Sequence, residues 1–140
     1  MRKQEQLVEE IAALMGPFVR EMRAAFMAGA RELGLAPAEA QAVWLLGTRK
    51  SVTTKELAQA LDIDPANAST LLTKLEKRGY VRRTVARDDA RRRHASLTAR
   101  GGRLRAELAE VVAARRPAFD ALDLKELETF RDLLARVMRG

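Results

Sequence analysis

Residues 53–79 read TTKELAQALDIDPANASTLLTKLEKRG, and the order of caps and apolar positions in this stretch decides the fold. Thr53 with Glu56 three residues on is a capping box, in which the hydroxyl and the carboxylate each satisfy a free backbone donor at a helix start. The helix it opens runs to about Leu61 and turns Leu57, Ala58 and Leu61 inward. Asp62-Ile63-Asp64 makes a short turn. Asp64 then caps a second helix, and Pro65 occupies its first position, where a missing N–H costs nothing. Ala68, Leu71, Leu72 and Leu75 recur at helical spacing and form its inner face, and Gly79 ends it. Two short helices joined by a tight turn result. The second carries an outer face of Ala66, Asn67, Ser69, Thr70, Thr73, Lys74 and Lys77.

Downstream, residues 80–85 read as a strand, residues 87–92 as a polar hairpin loop, and residues 93–97 as the returning strand. Ala95 and the charged Arg93 make that second strand weak. Thr98 caps a further helix that reaches about Arg116 and stops at Pro117, with Leu104, Leu108 and Val111 as its apolar stripe. Asp123 and Glu126 start a last helix, striped by Leu127, Phe130, Leu134, Val137 and Met138.

Upstream, Leu7, Ile11, Leu14, Phe18, Met22, Phe26 and Leu33 mark a helical segment from about Lys3. Gly16-Pro17 interrupts it and predicts a kink or a short separate first helix. Gly34 ends it as a left-handed cap. Pro37 opens a helix to about Gly47 with Ala40, Val43, Trp44 and Leu46 as its apolar face. The predicted fold is mainly α with a small β-wing: a winged helix-turn-helix over residues 35–98 of a single domain of 140 residues. Residues 1–34 and 99–140 supply dimerisation helices. A winged unit of about 80 residues cannot bury the stripes at both chain ends by itself, so a partner subunit is expected.

The charge is concentrated. The chain carries +7, and residues 82–105 hold nine Arg against two Asp, so all of the excess lies there. A polyanionic partner follows, and double-stranded DNA fits the geometry. A major groove about 12 Å wide admits one helix, which reads base edges with its N-terminal end and outer face. Pro65, Ala66, Asn67, Ser69, Thr70, Thr73, Lys74 and Lys77 are the expected contacts of that helix. Asn pairs bidentately with adenine, Thr methyls meet thymine methyls, and Lys contacts guanine or phosphate. Thr53, Thr54 and Lys55, at the start of the supporting helix, are placed to meet the backbone. At the hairpin tip Arg87, Arg91, Arg92 and Arg93 are suited to a narrow minor groove, with Asp89 orienting a neighbouring Arg.

These residues carry a resemblance. Leu35-Ala36-Pro37-Ala38-Glu39-Ala40-Gln41, Thr53-Thr54-Lys55-Glu56-Leu57-Ala58, Leu75-Glu76-Lys77-Arg78-Gly79-Tyr80-Val81, Asp88-Asp89-Ala90-Arg91 and Leu97-Thr98-Ala99-Arg100-Gly101 stand in an order and spacing that resembles the MarR (multiple antibiotic resistance regulator) family over nearly the whole length. The resemblance implies a transcriptional regulator, a repressor acting as a homodimer whose first, fifth and sixth helices intertwine. It also implies a palindromic operator, and release by a small aromatic or anionic ligand. The chain departs from the family pattern at Thr70, where many members carry Arg, and at the basic run Arg92-Arg93-His94.

Other classes are excluded or weakened. With no Cys there are no disulfides, thiolate metal sites or thiol-based peroxide sensing. The single His94 cannot build a metal site, and no cofactor motif is present, so no metal or cofactor is expected. No glycine-rich phosphate loop or catalytic constellation appears, so the chain is not expected to be an enzyme. No apolar run spans a membrane, the N-terminus does not read as a signal peptide, and a cytoplasmic location is expected. An effector pocket lined by Phe18, Met22, Phe26 and Trp44, with Arg20 or Arg23 for an anionic group, is the expected ligand site. The alternative reading is an architectural or accessory DNA-binding protein of low sequence specificity.

Overall fold

The computed structural model describes residues 1–85, 93–115 and 119–140. It falls into two compact units, Met27–Ala113 and a terminal unit of Met1–Phe26 with Ala114–Gly140.

The larger unit begins within helix α1 (Arg2–Glu32) and continues through α2 (Pro37–Thr48), β1 (Val52–Thr53), α3 (Thr54–Leu61), α4 (Pro65–Lys77), β2 (Val81–Val85), β3 (Arg93–Leu97) and most of α5 (Ala99–Arg115). The sequence places each boundary by a local device. Thr53 accepts from the Glu56 N–H at 3.1 Å while Glu56 accepts from the Thr53 N–H at 3.1 Å, completing the expected capping box. Asp62 closes α3 in the left-handed region at φ 54°, a conformation that Asp tolerates better than most side chains. Asp64 accepts from the Asn67 N–H at 2.9 Å and caps α4. Gly79, at φ 81°, ends the turn after α4. Thr98 accepts from the Gly101 N–H at 3.1 Å and donates to the Gly79 carbonyl at 2.6 Å, so one hydroxyl starts α5 and fastens it to that turn. Gly101 must be glycine because a β-carbon there would collide with the Tyr80 carbonyl.

The core is apolar throughout. Leu57, Leu72, Leu75, Leu108, Val43 and Val52 are its largest fully buried side chains. The expected inner face of α4 is buried entire: Ala68, Leu71, Leu72 and Leu75. On α2 the buried residues are Ala40, Ala42, Val43 and Leu46, and Trp44 is only half-buried.

Two expectations need revision. The sheet has three antiparallel strands in the order β1-β3-β2, not two. The unexpected strand β1 pairs Val52 with Ala95 and Thr53 with His94. The strand that read as weak is therefore the central one, and Ala95 is small because it is 1% exposed beneath its neighbours. On its other side β3 pairs from Val81↔Leu97 to Val85↔Arg93. Second, of the two outcomes expected at Gly16-Pro17, a kink or a separate first helix, the separate helix does not form, and α1 continues through Pro17. Proline removes one helical hydrogen bond, and the Ala, Leu, Met, Glu and Arg residues on both sides favour helix strongly enough to carry the segment past it.

The terminal unit joins the first part of α1 to a 3₁₀ turn (Phe119–Ala121) and to α6 (Leu124–Arg139), which Asp123 and Glu126 open with another capping box. Phe119 meets Phe18 and Phe130 edge to face, with centroids 5.7 Å and 6.1 Å apart, and Phe18 and Phe130 are tilted against each other at 5.8 Å. Around this triad the apolar rows stay in solvent. Leu7, Val8, Ile11, Leu14 and Val19 of α1 and Leu133, Leu134, Val137 and Met138 of α6 are exposed.

Candidate nucleic-acid interface

Helix α4 lies on the core by its leucines and turns two different polar flanks outward. Pro65, Ala66, Asn67, Thr70, Lys74 and Lys77 are exposed, whereas Ser69 and Thr73 are half-buried. The difference has one cause. Arg83 of β2 donates through Nη2 to the Ser69 carbonyl and, at 3.1 Å, to the Thr73 hydroxyl. That hydroxyl in turn donates to the Ser69 carbonyl at 3.0 Å. Ser69 and Thr73 thus stand on the flank that faces β2, with the Ser69 carbonyl and the Thr73 hydroxyl engaged inside the protein.

On the exposed flank, Asn67 donates its amide to the second Asp64 oxygen at 3.1 Å, so the cap holds both the backbone and the side chain of this residue. The Thr70 hydroxyl donates back to the Ala66 carbonyl at 3.1 Å and keeps a lone pair with which to accept. Lys74 and Lys77 continue the same side as cations on the last turn.

At the start of α3, Lys55 is exposed and Thr54 half-buried. The Glu56 carboxylate is held below its ordinary pKa by the Thr53 N–H and hydroxyl bonds, and further by Arg49, 3.7 Å away, and by His94. It stays ionised, and it neutralises part of the positive charge at that corner. His94 itself reaches Ser51, Nδ1 to Oγ 3.5 Å.

Of the expected wing residues, Arg93 is exposed at the start of β3, while Arg87, Asp89, Arg91 and Arg92 lie outside the described residues. Two strand arginines were not singled out from sequence. Arg82 is exposed on β2, and Arg83 is the inward tie. The period of a strand signals the latter, since Arg83 shares the face of buried Val81 two residues before it.

The residues expected to line an effector pocket divide between the two units. Phe18, Met22, Arg23 and Phe26 belong to the terminal unit and Trp44 to the other. Phe18 is taken up by the aromatic triad. Trp44 lies under the Arg105 guanidinium, whose carbon is 3.6 Å from the ring centroid, and accepts at its carbonyl from Arg105 Nε at 3.2 Å. Burial lowers the pKa of that guanidinium. Among the described residues no group of three His, Cys, Asp or Glu is placed to hold a metal ion, and no helix is long and apolar enough to cross a membrane.

Residues 33–92 match the model of the MarR family. The HTH-type transcriptional regulator SarZ of Staphylococcus saprophyticus subsp. saprophyticus is 34% identical over 86 residues, which cover 58% of this chain and 59% of that relative's length. The crystal structure of wild-type MarR from E. coli in its apo form has a TM-score of 0.74 at 20% identity, covering 90% of this chain and 94% of that one. A mutant of S. aureus MepR bound to an oligodeoxyribonucleotide has a TM-score of 0.64 at 20% identity, covering 92% and 96%.

Proposed function

We propose that this chain, whose residues 33–92 match the model of the MarR family, is a sequence-specific regulator of transcription that binds double-stranded DNA. In this reading it is a cytoplasmic repressor acting as a homodimer on a palindromic operator, and a small aromatic or anionic ligand releases it. The observation that carries the reading is the exposed flank of α4. It presents Asn67, Thr70, Lys74 and Lys77 on a helix rigidly capped by Asp64 and braced by α3. Asn67 and Thr70 read bases, Lys74 and Lys77 meet phosphate or guanine, and Lys55 at the start of α3 meets the backbone. Arg87, Arg91, Arg92 and Arg93 are the proposed wing contacts, with Asp89 orienting one of them. The relative SarZ is named a transcriptional regulator, and the MepR mutant is bound to an oligodeoxyribonucleotide, which supports the assignment.

The dimer is supported by the apolar rows of the terminal unit. Leu7, Ile11, Leu14, Leu133, Val137 and their neighbours lie in solvent in the single chain, and pairing with a second copy removes that surface from water.

One observation favours the alternative of an architectural protein of low specificity. The Thr73 hydroxyl is engaged by Arg83 and by the Ser69 carbonyl, and the Asn67 amide is held by Asp64, which occupies two of the side chains expected to read bases. Fluorescence anisotropy separates the two readings. Asn67→Ala or Thr70→Ala lowers affinity for the preferred duplex and not for random DNA, whereas Arg91→Ala lowers both and flattens the salt dependence. Equal losses on both duplexes for Asn67→Ala and Thr70→Ala support the architectural reading.

A further inference from the structure

We propose that Arg83 is a positioning residue for sequence reading: it ties α4 to the wing strand β2 and so sets the orientation in which the exposed flank of α4 meets the bases. The proposal rests on the reading of α4 as the recognition helix.

Arg83 stands on the strand face of Val81, which is 2% exposed, and not on the solvent face with Arg82. Its Nη2 reaches the middle of α4 and bonds two acceptors from residues one helical turn apart, the Ser69 carbonyl and the Thr73 hydroxyl. The Thr73 hydroxyl accepts from Arg83 and donates to Ser69, so a three-membered network closes on the helix backbone. Arg83 Nε is buried without a hydrogen-bond partner among the described residues. A guanidinium whose Nε is buried and whose Nη2 is turned onto the helix is withdrawn from a surface phosphate contact. It suits a strut between two elements, because a charged donor makes a stronger bond to a carbonyl than a neutral one. The leucine face of α4 holds the helix on the core, and a tie at its flank adds resistance to rotation about the helix axis. The bond to Ser69 and Thr73 acts at the flank, at a radius from the helix axis where it resists that rotation. Base reading is sensitive to displacements of this kind, since bidentate pairing requires the donor and acceptor edges to coincide.

The test uses the full chain with two duplexes, one enriched by the wild type from random DNA and one of random sequence. Arg83→Met lowers the ratio of the two affinities by about fivefold or more, with binding to the random duplex changed less than about twofold. The salt dependence on random DNA keeps its slope, because no phosphate contact has been removed. Thr73→Val lowers the ratio in the same direction, Thr73→Ser retains it, and Arg83→Met with Thr73→Val is no worse than Arg83→Met alone. Thr73→Val and Thr73→Ser decide the matter if Arg83→Met fails to fold. Amide hydrogen exchange of residues 65–77 in the free protein, faster in Arg83→Met and Thr73→Val, reads the tie without DNA. An unchanged ratio in Arg83→Met and Thr73→Val overturns the proposal, as does unchanged exchange. A salt slope reduced by about one at constant ratio makes Arg83 a phosphate contact instead. If the wild type shows no preference between the duplexes, the DNA reading fails and the specificity role fails with it. The exchange experiment then still reports whether Arg83 holds α4.

Discussion

Replacing Gly47 by alanine sets two opposing effects against each other, and the structure decides the sign. Gly47 lies near the end of α2, where alanine gains up to about 1 kcal/mol over glycine in helix propensity. A β-carbon built there falls 2.5 Å from Arg105 Cγ and 2.6 Å from its Nε. The arginine side chain has to leave. It then gives up its seat 3.6 Å above Trp44, worth about 1 kcal/mol for a partly buried pair. It also gives up the 3.2 Å bond to the Trp44 carbonyl, worth about another 1 kcal/mol. The net expectation is a loss of about 1 kcal/mol, or a fall in Tm of about 4 °C. Trp44 is the one tryptophan in the chain, so its emission reports the event directly. Denaturant unfolding followed by that emission should show a lowered midpoint, and the native spectrum should shift to the red as the ring face is uncovered. In an Arg105→Ala background the same substitution should instead stabilise. A gain of about 1 kcal/mol in the wild-type background with an unaltered native spectrum refutes the reasoning, because Arg105 would then have yielded at no cost.

Three further outcomes are expected. Glu56→Gln keeps the geometry of the capping box and removes its titration. The folded carboxyl titrates below its ordinary 4.5, so its stabilisation is complete above that value and is lost as pH falls through the folded pKa. The stability gap between wild type and Glu56→Gln should therefore be widest above 4.5 and close as the pH falls from there through the lowered folded value, and a gap independent of pH contradicts the bond network. Asp64→Ala removes both bonds to Asn67 and should cost about 1 kcal/mol in thermal unfolding, with Asp64→Ser costing a few tenths; equal losses would deny the cap. Lys74→Ala should reduce the slope of log affinity against log salt on random DNA by about 0.9, and an unchanged slope would remove Lys74 from the phosphate contacts.

Most of the fold is legible because its boundaries are set locally. Thr53, Asp64, Thr98 and Asp123 each cap a helix within three residues of themselves, and the leucines of α4 repeat within one element. What escaped depends on partners far along the chain or on elements too short for a period. Strand β1 has two residues, and its existence is settled by pairing with β3 more than forty positions on. Pro17 reads as a break because its own contribution is unfavourable, yet the flanking residues outweigh it. The exposed flank of α4 was legible as the complement of its apolar face. The division of that flank was not, because Arg83 reaches Ser69 and Thr73 across a turn and a strand. Trp44 read as a candidate ligand contact, and the arginine that covers it comes from 61 positions away.

The central claim is that this chain reads a defined DNA sequence as a dimer, and selection of bound sequences from random duplex DNA at physiological salt tests it most directly. The account predicts one enriched palindrome whose half-site centres lie about one helical turn apart, as two copies of α4 related by a twofold axis require. Retention of DNA with no enriched sequence, or no retention at all, contradicts it.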